Sequence, residues 1–177
     1  DATTLLERLL RFQEAADYLD GYAKARRASE SVAEWRAKLY LRAGNVPKAL
    51  EVERASIDAY RKEAAAAGKE SEEIESEAGA RLARAARRFL WAQAPDAAWQ
   101  MAFPKGVSSA LPEALGISER AEIALRTGNF PALLRRFAAD EDFRSQAAEV
   151  VSRVATHEQL AELEALLLAR IFPATGS

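Results

Sequence analysis

The sequence predicts an all-α protein built from antiparallel helical hairpins, and three observations predict it. The chain has 40 alanines and 20 leucines against 12 valines and isoleucines combined, a composition that favours helix over sheet. Apolar residues recur at three- and four-residue spacing, without sustained alternation. Three patterns resemble capping boxes, in which two residues cap each other's backbone amides at a helix start. They are Thr4 with Glu7, Ser31 with Glu34, and Thr156 with Gln159.

Four helices are predicted before residue 94, at 4–27, 32–43, 47–66 and 71–93. The first carries an apolar stripe whose spacing near 3.5 residues suits either its neighbouring helix or a second copy of the chain. The second ends before Gly44, and the third starts at Pro47 and ends at the alanines before Gly68. The fourth follows an acidic segment. The stripe consists of Leu5, Leu9, Phe12, Ala16 and Leu19.

The helical pattern is interrupted after residue 94, because three prolines and two glycines fall between residues 95 and 116. Proline is unfavourable inside a helix, so residues 104–111 are predicted as a loop. Helices resume at 113–126, 131–139, 141–154 and 157–171. The acids Asp140, Glu141 and Asp142 are interpreted as a cap and first-turn residues rather than a metal site. We expect subdomains 1–103 and 112–177 in one continuous array.

An internal repeat gives the strongest architectural signal. Residues 41–50 and 125–134 align without gaps, and six of ten positions are identical. Both segments contain Gly-Asn-x-Pro. Glycine can take the left-handed conformation that ends a helix, and proline suits the first turn of the next. Each segment is therefore predicted to join two antiparallel helices.

Around these turns the chain resembles the tetratricopeptide-repeat family. The matching positions are Ala37, Tyr40, Gly44, Asn45, Val46 and Ala49 in the first copy, and Ala121, Gly128, Asn129 and Phe130 in the second. Trp35 lies two residues later than the family's tryptophan, Glu53 stands where an aromatic residue is expected, and Leu133 replaces a small residue. The turns are 84 residues apart, which is not a multiple of the family's 34-residue unit. The other interpretation is an irregular helical bundle whose hairpins share turn chemistry.

The resemblance implies a protein-interaction scaffold whose concave face is lined by the first helix of each pair. It implies no catalytic residue. On that basis Trp35, Arg36 and Tyr40 are predicted to be exposed and to contact the partner.

Arginines at three- and four-residue spacing form a second candidate surface, the arginine stripe of Arg81, Arg84 and Arg88. Such a stripe could contact phosphates or an acidic partner. The helix starts with acids, however, and offers a Glu77–Arg81 pair, which favours a solvated face that complements the helix dipole. We therefore expect no nucleic-acid partner.

Aromatic and sulfur side chains gather around Pro95, at Trp91, Trp99, Met101 and Phe103. They could line a partner-facing pocket or fill the junction between the two helical halves.

Composition excludes most catalytic chemistry. The chain has no cysteine and one histidine, and His157 has Ala161 where a zinc-protease helix needs a second histidine. His157 is interpreted as an exposed first-turn residue. We predict no cofactor or metal and no enzymatic activity. The net charge of −2 gives no global attraction to nucleic acid, and no apolar run is long enough to span a membrane.

The sequence thus predicts a soluble, non-enzymatic module of a larger bacterial protein that docks a protein or peptide, in the cytoplasm or the periplasm. The alternative is a helical regulatory or oligomerisation domain of a larger enzyme or transcription regulator, and pairing through the N-terminal stripe would make it a homodimer.

Overall fold

The computed structural model describes residues 2–25, 29–102 and 115–171, without the side chains of residues 24, 25, 132, 170 and 171. Ten α-helices and no strand occupy these ranges, which confirms the all-α prediction. The helices are α1 (Ala2–Arg8), α2 (Phe12–Ala25), α3 (Glu30–Arg42), α4 (Val46–Ala66), α5 (Ser71–Trp91), α6 (Pro95–Ala102), α7 (Ile117–Arg126), α8 (Phe130–Ala139), α9 (Glu141–Val154) and α10 (His157–Ile171).

The chain divides into two compact units, Asp1–Met101 and Ala102–Ser177. The first unit holds α1 to α5 and all of α6 but its last residue, and the second holds α7 to α10. The loop predicted at 104–111 lies outside the described residues.

The single helix predicted at 4–27 is wrong, because the chain turns between α1 and α2. Leu10 has a φ of 58°, and the amide of Arg11 donates to the carbonyl of Leu6 at 2.9 Å. This is the Schellman arrangement that usually has glycine at the left-handed position. A leucine there gives no sequence signal, so the apolar stripe looks continuous across the break. The residues of the stripe do not share one environment, since Ala16 and Leu19 are buried while Leu5 and Leu9 are exposed.

Of the three predicted capping boxes, only the last is correct. The amide of Gln159 donates to the hydroxyl of Thr156 at 3.2 Å, and the amide of Thr156 donates to the side chain of Gln159 at 2.9 Å. Thr4 and Ser31 lie inside helices that begin at Ala2 and Glu30. The hydroxyl of an internal helix residue has no free amide to cap, so the motif alone does not locate the helix start.

Both Gly-Asn turns form as predicted. Gly44 and Gly128 have φ values of 75° and 69°, and Pro47 and Pro131 lie in the first turns of α4 and α8. The carbonyl oxygen of the Asn45 side chain accepts from the Lys48 amide at 3.2 Å, which caps α4.

In the first unit, α2 and α4 pack on either side of α3. Asp17 bonds the phenol of Tyr40 at 3.0 Å, and Asp20 pairs with Arg36, so numbers rise on α2 while they fall on α3. The two helices are therefore antiparallel. Buried alanines let these helices approach closely, among them Ala37 and Ala49, both with 0% of their surface exposed.

The second unit is organised around the contact between α7 and α9. Ala121, Ile123, Phe143 and Ala147 are each at most 1% exposed, and Leu133 of α8 is also buried. The side chain of Gln159 on α10 donates to the Leu125 carbonyl of α7 at 3.2 Å. No helix in the described ranges is long and apolar enough to cross a membrane.

Candidate functional site

An open groove in the first unit is lined by both apolar and charged side chains. Its volume is about 580 Å³, and we call it the α3 groove, because residues of α3 line it together with residues of α2 and α4, which both pack on α3. Residues on α4 line it at spacings of one, three and four, as one face of a helix does. The lining consists of Asp20, Ala23, Ser29, Glu30, Ala33, Arg36, Lys48, Glu51, Val52, Ala55, Ser56, Ala59, Tyr60, Glu63 and Arg81.

The middle of the α3 groove is open because its side chains are small. Ala33 of α3 and Ala55 and Ala59 of α4 carry only a methyl group. Ala55 and Ala59 lie one turn apart on α4 and are exposed. The alanine-rich composition therefore creates space here as well as close helix packing.

One end of the groove contains two ion pairs. Arg36 pairs with Asp20, and Lys48 pairs with Glu51 at 2.9 Å. The Nε atom of Arg36 is buried and finds no acceptor among the described residues. A buried donor without an acceptor costs free energy, so the Arg36 site is incompletely satisfied within this chain.

The other end contains a stacked arginine. The guanidinium of Arg81 lies 3.9 Å from the centroid of the Tyr60 ring, a cation–π contact. It also pairs with Glu30 at 2.8 Å and with Glu77 at 3.1 Å. The Glu77–Arg81 pair predicted from the sequence is thereby confirmed.

The arginine stripe is not the solvated face that the sequence favoured. Arg81 and Arg88 have side chains only 17% and 12% exposed, and they bond to acids of neighbouring helices. Arg84 is 41% exposed and pairs with Glu30 at 3.1 Å. Helical periodicity correctly predicts that the three arginines share one face of α5, but it does not indicate whether water or another helix covers that face.

Glu53 is the residue of this region that sequence reasoning missed. Arg88 donates two hydrogen bonds to its carboxylate, at 2.8 and 2.9 Å, and a third to Glu34 at 3.1 Å. Only 4% of Glu53 is exposed. Burial raises the pKa of Glu53, while the charge and hydrogen bonds of Arg88 act in the opposite direction. The available signal was the acid at a position where the resembling family has an aromatic residue.

The predicted contact residues on α3 do not share one environment. Arg36 lines the groove, and Trp35 is half-buried outside it. Tyr40 was predicted to be exposed, which is wrong, because only 1% of it is accessible. It lies on the face of α3 that packs on α2 and donates to Asp17 at 3.0 Å. Of the six predicted contact residues, the groove contains Arg36 and Arg81.

The environment of Tyr40 predicts that the free energy of unfolding falls at alkaline pH. Burial and then the hydrogen bond to Asp17 raise the pKa of Tyr40 to about 12. The folded chain keeps this proton above pH 10, where unfolded tyrosine loses it, so we expect the free energy of unfolding contributed by this group to fall between pH 10 and 12. Replacing Tyr40 by phenylalanine should flatten that decline. Urea unfolding at pH 9 and 11 checks it.

Tyr18, which is 55% exposed, provides the matched control for Tyr40. Y18F should keep the wild-type pH dependence. An equal decline in Y40F and in the unmodified chain would show that Tyr40 ionises like an exposed tyrosine.

The described side chains that were expected to cluster around Pro95 differ in their exposure. Trp91 is 78% exposed, whereas Met101 is fully buried, and Trp99 is half-buried. Phe103 lies outside the described residues. Met101 contributes to the core, while Trp91 faces solvent.

In the second unit, the acids and the histidine that were considered as metal ligands lie at the starts of helices. Asp140 accepts from the Phe143 amide at 2.9 Å and caps α9, and Glu141 and Asp142 lie in its first turn. His157 is exposed in the first turn of α10. Within the described ranges, no group of three or more acids or histidines is arranged to hold a metal.

Comparisons with protein families, curated proteins and solved structures found no match to this chain. The assignment of function therefore depends on the groove and the side chains around it.

Proposed function

We propose that this chain is a non-enzymatic helical module that docks a segment of a partner polypeptide in the α3 groove. The observation that carries the proposal is the groove itself, an opening of about 580 Å³ with small side chains at its centre and polar side chains at both ends. Ligand sites commonly have volumes of about 300 to 1,000 Å³ and combine apolar surface with a few placed polar groups.

The nature of the lining supports binding rather than catalysis. Its bases and acids are joined in ion pairs, as in Arg36–Asp20 and Lys48–Glu51. The first pair joins α2 and α3 and the second lies within α4. Groups paired in this way present fixed charges, but they are poorly placed to exchange protons with a substrate. The resemblance to tetratricopeptide repeats, whose concave faces bind polypeptides, supports the same assignment.

The test fills the groove without disturbing the core. Replacing Ala55 by tryptophan should remove binding, because the indole would occupy the open centre. Peptides are first selected from a random library against the wild-type chain. Their affinities are then compared with those for A55W and for A65W, which alters an exposed residue of α4 outside the groove.

We expect selected peptides to bind A65W normally and to lose most of their affinity for A55W, with circular dichroism unchanged in both variants. The proposal fails if no peptide is enriched, or if the enriched peptides bind A55W as well as the wild type.

A second candidate, an oligomerisation domain, is favoured by three exposed leucines. Leu5, Leu9 and Leu10 are 59%, 57% and 74% exposed and lie near the turn between α1 and α2. Light scattering at micromolar concentration separates the two functions. A stable dimer that dissociates in L9S/L10S would favour oligomerisation over peptide docking.

A further inference from the structure

Helix α10 in the second unit leaves most of its surface uncovered. Among its described side chains only Leu163 is buried. Leu160 and Leu168 are 38% and 49% exposed, and the exposed residues Ala161 and Ala165 lie between them in the sequence. Spacings of one, four and three residues place these four exposed apolar side chains on one side of the helix. We call this surface the α10 face.

The charges carried by α10 are acidic and unpaired. Glu158, Glu162 and Glu164 are exposed, and their carboxylates form no hydrogen bond or ion pair within the part of the chain that the structure describes. The described side chains of this helix include no lysine or arginine. The α10 face is therefore an apolar surface beside free negative charges.

An apolar surface with a free positive charge lies on α1 in the first unit, at Leu5, Arg8 and Leu9. These residues are three and four positions apart and share one side of the helix, which continues to Leu9 because the Leu9 amide donates to the Leu5 carbonyl at 3.1 Å. The two leucines are 59% and 57% exposed. Arg8 is exposed and has no partner among the described residues, whereas the nearby acid Glu7 is already paired with Arg42. We call this surface the α1 face.

We propose that the α1 face of one copy of the chain docks on the α10 face of a second copy. The contact removes leucines of both faces from water, and it brings the guanidinium of Arg8 to carboxylates that α10 leaves unpaired. The occupant is a second copy because the chain itself carries the surface of complementary charge. Docking of α10 on α10 is disfavoured, since it would bring unpaired carboxylates together. The inference does not depend on the α3 groove.

Such a contact is heterologous, because the two copies contribute different surfaces. Each copy keeps one face available after the first contact, so association continues until the remaining faces meet in a closed ring. The α1 and α10 faces are small, which places the contact among weak interfaces that bury less than about 1,200 Å². We therefore expect association only at high protein concentration. A homodimer through the N-terminal stripe would instead pair one surface with itself.

The experiment is sedimentation velocity of the full chain from micromolar to millimolar concentration at low ionic strength. The variants L5S/L9S and L160S/L168S each remove one face at exposed positions, and circular dichroism checks that their helix content is unchanged. The wild type should associate as its concentration rises, whereas each variant alone should stay monomeric. An equimolar mixture of the two variants should form a heterodimer and nothing larger, because each supplies the face that the other lacks.

Two controls test whether apolar exposure or net charge alone explains the association. W91S removes an apolar side chain that is 78% exposed and belongs to neither face, so it should associate as the wild type does. R8E should raise the Kd about threefold, the effect of losing one exposed ion pair. K62E makes the same charge change at an exposed position of α4 and should leave the Kd unchanged.

The inference is overturned if the wild type stays monomeric at every concentration, or if either single-face variant alone associates as the wild type does. It is also overturned if the mixture of the two variants stays monomeric, if W91S associates as poorly as they do, or if K62E weakens association as much as R8E. A monomeric wild type would leave peptide docking intact, since the comparison of A55W with A65W does not involve these faces.

Discussion

Replacing Arg88 by leucine should lower the free energy of unfolding by about 3 to 5 kcal/mol, the usual result of removing one partner of a buried ion pair. The reason is the carboxylate of Glu53, which is 4% exposed and accepts two hydrogen bonds from Arg88 at 2.8 and 2.9 Å. Without the guanidinium, this charge stays buried and uncompensated. Urea unfolding followed by tryptophan fluorescence measures the loss, since all three tryptophans lie in the first unit.

Arg84 supplies a matched control one turn earlier on α5. It also bonds to two acids, Glu30 and Glu77, at 3.1 and 3.2 Å, but its side chain is 41% exposed. Exposed ion pairs contribute little, so R84L should cost less than about 1 kcal/mol. Equal losses in R84L and R88L would contradict the assignment of Arg88 to a buried pair.

A double replacement separates the ion pair from the packing around it. In E53L/R88L no charge remains buried at this position, and leucine fills part of the vacated volume. We expect the double variant to recover most of the stability that R88L loses, as replacement of buried ion pairs by apolar residues often does. A double variant as unstable as R88L would mean that the loss comes from packing and not from the isolated carboxylate.

The same pair predicts a pH dependence with a definite sign. Burial raises the pKa of Glu53 in the folded chain, and Arg88 acts against that rise. A carboxyl with a raised pKa stabilises the folded state below its ordinary pKa and loses this contribution as pH rises through the folded value. The deficit of R88L relative to the wild type should therefore be larger at pH 7 than at pH 5. A deficit that grows on acidification would reverse this assignment.

Replacing Phe143 by alanine should destabilise the second unit by about 3 to 5 kcal/mol, the range found for buried phenylalanine. Phe143 has no exposed surface, and Arg136 lies 5.8 Å from its ring centroid. Removing the ring leaves a cavity beside Ala147 and Val150, which are also buried. Native-state hydrogen exchange of the Val150 and Val151 amides on α9 measures the effect directly in this unit.

Leu168 provides the control for Phe143, because it is apolar but 49% exposed. L168A should cost less than about 1 kcal/mol, since little surface is removed from contact with the protein. Exchange rates at Val150 that rise as much in L168A as in F143A would show that α9 does not depend on the Phe143 ring for its packing.

Much of the helical layout could be predicted because its signals are local. Gly44 and Gly128 take the left-handed conformation at the two predicted turns, and Thr156 with Gln159 forms the predicted cap. The break after α1 could not be predicted from glycine or proline, since Leu10 occupies the left-handed position. Leucine rarely adopts that conformation, so its φ depends on how α1 packs against α2.

The candidate site was predicted in part. Arg81 was selected from helical spacing and Arg36 from the family resemblance, and both line the α3 groove. The resemblance also placed Tyr40 on the surface, where it is not. Spacing identifies which side chains share a helix face. Whether a face meets solvent depends on helices distant in sequence, and α5 reaches α3 and α4 only after the chain has folded.

The sequence by itself determined the all-α class and the chemistry of the Gly-Asn turns, because composition, periodicity and capping act within a few residues. Only the tertiary structure decided that Arg88 meets Glu53 across 35 positions, that Tyr40 packs inward, and that alanines of α3 and α4 leave a groove between them. These features depend on which helix faces meet, and burial changes the free energy of a charge far more than any local propensity does.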